Sequence, residues 1–199
     1  MIIIDLPRYP TAAKIKWTLK QPTQVNRSEF GGGRRVTILS QAPRWSAEVE
    51  YPPIIGERAV RPWRAALARL QGQANAFRLA PYENPQRVLL GSSGGPVVDG
   101  ANQIGNMIAT RGWYPANALL IGNFITINGR LHQVLSQAIA GADGRSVIEI
   151  MPHIANGVPD GAPIDASGRA IMSLTEDSVG WSVGPGQRYD IAFACEEAF

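Results

Sequence analysis

The chain has 199 residues, 45% of them hydrophobic and 18% charged, a composition that buries a sizeable core and excludes long disordered tails. It has no apolar run of the roughly 18 residues a membrane span needs, and the opening MIIIDLPRYP lacks the basic start and long apolar core of a secretory signal, so synthesis in a cytoplasm is expected. One cysteine and two histidines exclude an intrachain disulfide and a zinc cluster, so neither metal nor cofactor is expected.

The net charge of +3 hides an asymmetry. Residues 1–87 carry 11 Arg and 3 Lys against 6 acids, whereas residues 88–199 carry 5 Arg against 10 acids. The cations are scattered, without a compact basic run or an interleaved aromatic platform, so complementary faces that meet in an assembly are favoured over a specific nucleic-acid site.

In chain order, strands come first. KIKWTL places Ile15, Trp17 and Leu19 on one face, and RWSAEVEY places Trp45, Ala47, Val49 and Tyr51 opposite Ser46, Glu48 and Glu50, the period of half-buried antiparallel strands. Between them, RSEFGGGRRVTIL reads as a strand pair or a bulged connection around Gly31–Gly33. After the turn YPPIIG the period changes, and Val60, Trp63, Leu67 and Leu70 form one helical stripe, closed by Gly72. Pro62 lies within the opening turns of this helix or marks its start. Arg58, Arg61, Arg64 and Arg69 lie across from the stripe, as a solvated face or a subunit interface.

AFRLAPY returns to strand. Beyond residue 88, LLIGNFITINGRLHQVLSQ and SVIEIMPHI read as strands joined by a turn at GADGR, where Asp143-Gly144 signals a hairpin. PDGAPIDASG is a loop, and residues 170–199 supply two or three further strands, ending in the alternation Tyr189, Ile191, Phe193, Cys195. That alternation makes Cys195 a small strand hydrophobe. Glu196 and Glu197 point to opposite faces and cannot act as a carboxylate pair. Trp45 and Trp63 are expected in the core by their periodicity.

GSSGGPV, residues 91–97, fits G-x-S-x-G with Ser93 at the nucleophile position. A nucleophile elbow needs a helix after the serine, and GGPVVDGANQIG cannot form one. A chymotrypsin-like order needs histidine and aspartate before the serine, but His132 and His153 both follow it. The residual option is an unfamiliar triad of Ser93, His132 or His153, and Asp99, Asp143 or Asp160. The bland reading is a flexible Gly-rich turn, and no catalytic residue is assigned.

The combination of RSEF, the strand RWSAEVEYPP, the helix RPWRAALARLQG and the strand AFRL resembles the N-terminal half of distal tail proteins of long-tailed bacteriophages, and GWSVGPGQRYDIAFACEEAF resembles their last strands. The stretch ANQIGNMIATRGWYPANALLIGNFITINGRLHQVL resembles a barrel segment of such proteins. The resemblance covers most of the chain as a pattern of elements and implies a homo-oligomeric ring, six-fold, joining the tail tube protein to tail-tip or baseplate hub proteins. The implied location is the virion tail, assembled in the host cytoplasm. It carries over no catalytic residue, and by the same resemblance the chain is expected to lack the full-length galectin-like C-terminal domain of the larger members.

The expected fold is therefore mainly β: a β-sandwich of tail-tube type with one packed helix, from residues 1–86 with 171–199, and a small barrel-like module inserted at 87–170. An alternative function is a β-rich carbohydrate- or partner-binding module, with Trp113 and Tyr114 as stacking residues.

Overall fold

The computed structural model describes residues 1–27, 31–38, 43–81, 86 and 95–198. Strands β1 (Ile3–Ile4), β2 (Lys14–Lys20), β3 (Thr23–Arg27), β4 (Arg34–Ile38), β5 (Arg44–Glu50) and β6 (Ile54–Ile55) precede α1 (Glu57–Leu70), the one helix among the described residues; β7 (Ala76–Leu79) follows it. The middle holds β8 (Val97–Val98), β9 (Gln103–Arg111), β10 (Ala118–Leu119), β11 (Phe124–Ile127), β12 (Arg130–Val134), β13 (Ala138–Ile139), β14 (Ser146–Val158) and β15 (Ile164–Asp165). The last four are β16 (Ala170–Leu174), β17 (Ser182–Gly184), β18 (Arg188–Asp190) and β19 (Ala192–Glu197), one or two more than the expected count. The molecule is mainly β, about half of it strand, with one helix among the described residues.

Strands from both ends of the chain share a six-stranded sheet in the order β1-β7-β16-β19-β5-β2. Its register joins Ile15 to Val49 and Phe193, and Trp17 to Ala47 and Cys195, so the alternation read from each strand assembles into one continuous apolar face. The opposite face is wet, with Lys16 and Glu48 paired at 3.2 Å. Cys195 is fully buried in the apolar face, and burial pushes its thiol up to about 12, far from a reactive thiolate.

The stripe Val60, Trp63, Leu67 and Leu70 is buried against this face, with Val49, Phe77 and Met172 in the same apolar cluster. The helix starts at Glu57, so Pro62 falls in its second turn without ending it. Gln71 in the left-handed conformation closes the helix one residue before Gly72. The Trp63 indole N–H donates to the Tyr9 carbonyl at 2.9 Å, which satisfies the one polar atom of a fully buried side chain. Trp63 also packs on Tyr51, ring centroids 4.2 Å apart. Segment YPPIIG is more than a turn: β6 joins β18 and β17 in a three-stranded sheet.

The middle strands form a nearly closed, barrel-like six-stranded sheet in the order β15-β11-β12-β14-β9-β8. Its seam is drawn together by the Val97–Pro163 bridge, with Val98 N donating to Ala162 O and Ile164 N to Pro96 O, both at 2.9 Å. At the seam Arg111 joins Asp99 and Asp160, each at 2.7 Å. The tight turn of the β11–β12 hairpin is Asn128-Gly129, both at positive φ, which explains the Asn-Gly pair there. Ile108, Ile125, Ile148 and Ile150 fill the barrel, and β10 pairs with β13 as a separate two-stranded ladder.

The barrel hangs between neighbours of the large sheet, since β7 and β16 pair antiparallel with Leu79 opposite Ala170. The return crossing is tight at Gly168, whose φ is +56° and where a Cβ would lie 2.5 Å from the Phe124 carbonyl oxygen. Gly168→Ala is expected to cost more than about 2 kcal/mol in urea unfolding, combining left-handed strain with a backbone clash. Gly180→Ala, which meets open space at an ordinary φ, is the matched control and should leave the midpoint nearly unchanged.

Candidate functional site

Of the four helix arginines, Arg58, Arg61 and Arg69 are exposed. Arg64 is partly buried and works within the molecule: its guanidinium lies 2.6 Å from the Glu57 carboxylate, and the Tyr189 hydroxyl donates to the same carboxylate at 2.7 Å. The Arg64 hydrogen bond, helped by Tyr189, holds the Glu57 carboxyl below its ordinary range. Arg64 also lies over the rings of Trp181 and Tyr189, at 5.3 and 5.7 Å. It therefore clamps α1 to β18, and the outward cationic strip is Arg58, Arg61 and Arg69.

The junction of sheet and barrel is polar at its centre. Continuing the parity Tyr189, Ile191, Phe193, Cys195 brings Glu197 to the apolar face, where it is 3% exposed. Its two carboxylate oxygens accept the backbone N–H groups of Trp45 at 2.9 Å and Leu131 at 2.8 Å. The Trp45 indole N–H donates back to the Leu131 carbonyl at 3.1 Å, and Arg130 donates to the Pro43 carbonyl at 2.7 Å. Burial raises the Glu197 carboxyl above its ordinary value, with the two N–H groups and Arg130 opposing that shift. Leu131 and Phe124, on the outward side of the β11–β12 hairpin, complete the contact with Trp45. Glu196 points the other way, to Lys20 and Arg44.

Two of the exposed surfaces among the described residues bear on function. The β3–β4 hairpin forms a sheet of its own, and every described side chain on it is exposed. On the barrel, the outer side of β9 and β14 exposes Met107 and Val147, with Ile104, Leu135 and Ile139 also open. A cleft of about 1170 Å³ adds a third feature, lined by Arg8, Lys14, Arg78 and Arg169, with Asp5 as its acid. The cluster of cations gives the cleft a positive field.

The residues considered for catalysis or glycan stacking are dispersed. Gly91 and Ser93 lie outside the described residues. His132 is inside the barrel beside Ile125 and Val134 in register, with Nδ1 2.6 Å from the Pro152 carbonyl oxygen. Asp99 and Asp160 are held by Arg111, which pulls the Asp160 carboxyl down to about 2. Asp143 accepts the Arg145 N–H in its own turn. Trp113 is not a surface stacking residue: it is 3% exposed, because Thr110 Oγ1 accepts its indole N–H at 2.8 Å and the rest of the ring fills the barrel core. Tyr114 is exposed beside it. Among the described residues there is no group of three or more His, Cys, Asp or Glu placed to hold a metal, and no helix is long and apolar enough to cross a membrane.

No known protein-family model matches the sequence, and no curated protein matches it.

Two of these features are directly testable. Glu197→Ala strands two buried N–H donors and is expected to lower stability by roughly 2–5 kcal/mol, with amide exchange accelerated first at Trp45 and Leu131; an unchanged midpoint would remove Glu197 from the junction. Burial lowers His132 to about 4, opposed by its bond to Pro152 and aided by Arg130 and His153. Its folded value lies below the unfolded one, so its contribution is intact above about pH 6.5 and is lost as pH falls toward 4, on the order of 3 kcal/mol in all. His132→Asn, which keeps a donor toward Pro152 without titrating, should unfold with a flatter pH dependence across that window.

Proposed function

We propose that the chain is a structural subunit of a bacteriophage tail, of the distal tail type, that assembles into a ring between the tail tube and the tip or baseplate and acts through contacts rather than catalysis. The observation that carries this reading is the β3–β4 hairpin, a sheet of its own whose described side chains are all exposed. A ring built from one repeated heterologous contact requires each subunit to offer two unlike surfaces. A cationic hairpin carrying Arg27, Arg34 and Arg35, beside a body that holds the acid-rich second half, offers two such surfaces. The free β edges of the hairpin, a liability in a monomer, are natural sites for a neighbouring chain. The exposed strip Arg58, Arg61 and Arg69 supplies a further charged surface for a tail partner.

Light scattering on a sizing column, followed by negative-stain imaging of the peak, tests the reading. The expected species is a closed ring near six copies. A monomer at every concentration, or an open aggregate without closed particles, would count against it.

A further inference from the structure

Building on the ring reading, we infer that the β3–β4 hairpin of one copy docks on the outer β9–β14 face of the barrel of the next copy, around Glu149.

The hairpin's register pairs Val25 with Val36 and Arg27 with Arg34. With a period of two, all four side chains lie on the same face: two valines in contact range, flanked by two arginines directly opposite each other. Val25 is 40% exposed and Val36 47%. A lone two-stranded hairpin is marginal in water, and like charges directly opposite weaken it further. Its composition therefore suits a surface that covers the valines and brings negative charge to the arginines.

The barrel has such a surface. Met107 pairs with Glu149 and Ala109 with Val147 across the β9–β14 ladder, with Ile108 and Ile148 turned inward and fully buried. Leu135 N donates to the Glu149 carbonyl at 2.9 Å, which brings the partly exposed Leu135 alongside. Glu149 is thus a carboxylate framed by Met107, Val147 and Leu135, and among the described residues it makes no ion pair. The opposite side of the barrel, β11 and β12, is already occupied by the large sheet through Phe124 and Leu131. The exposed side is the one left for a neighbour.

The two surfaces match in kind and sign: valines with flanking cations on one, aliphatic side chains around an anion on the other. Among the described residues the hairpin strands form a sheet of their own, apart from the barrel sheet, so the match is made between copies. Each copy gives one hairpin and receives another, the head-to-tail geometry that closes into a ring. A nucleic-acid partner would meet the arginines but leave the valines wet.

The test is charge reversal in the full chain. Arg27→Glu with Arg34→Glu is expected to weaken self-association at least about tenfold, with the thermal midpoint unchanged because both side chains are exposed. Glu149→Arg alone should weaken it similarly, and the three changes together should restore association. A photoreactive residue at Val25 should cross-link to peptides containing Met107 or Val147 of another copy. Association insensitive to the reversals, cross-links elsewhere, or binding of an oligonucleotide through Arg27 and Arg34 in a protein whose rings ignore them would overturn the docking while leaving the ring intact. A wild-type chain that never associates would overturn the ring itself.

Discussion

A single buried carboxylate joins the two halves of the molecule. Glu197 stands in a row of apolar residues, paired with Met172 and reaching the backbone of Trp45 in its own sheet and of Leu131 in the barrel. A charge placed there is costly unless each of its oxygens finds a donor. Two peptide N–H groups supply this, and both are fixed by the strands that carry them. The consequence is directional: apolar contacts such as Trp45 with Phe124 tolerate sliding, whereas a carboxylate spanning two backbones sets one register. Arg130 on the Pro43 carbonyl and Gly168 against Phe124 tighten the same joint from its flanks.

Much of the large sheet was legible because its signals are local. Alternation in KIKWTL and RWSAEVEY needed only the half-buried character of each strand, and the helix stripe needed only a 3.6-residue period; Val60, Trp63, Leu67 and Leu70 are all buried as that period requires. Cys195 followed from the same parity. Had that parity been carried two residues further, Glu197 would have been marked as inward, since of two adjacent acids on a strand one must face the core. The signal was present, but a glutamate at a chain end reads as solvated by default.

What stayed hidden was long-range. Trp113 beside Tyr114 looked like a surface aromatic pair because nothing nearby in sequence shows that Thr110 would accept the indole proton and allow burial. β17 and β18 are short and sit among glycines, so their pairing with Ile54 and Ile55 could not be read from residues 170–199 alone. The β3–β4 pair has apolar side chains on one face only, and that face is exposed, which no alternation within either strand reveals.

The placement of the barrel also bears on how the chain reaches its fold. Leu79 and Ala170 are partners in one ladder although about ninety residues separate them. As a flexible loop, such a segment carries an entropic penalty that grows by about 0.6 kcal/mol with each doubling of length. The barrel's own seam, at Val97 and Pro163, holds its entry and exit side by side. Once closed, it leaves the rest of the chain a shorter loop to close between β7 and β16. Barrel first, sheet second is thus the kinetically economical order, and the buried glutamate near the C-terminus can lock only after both are in place.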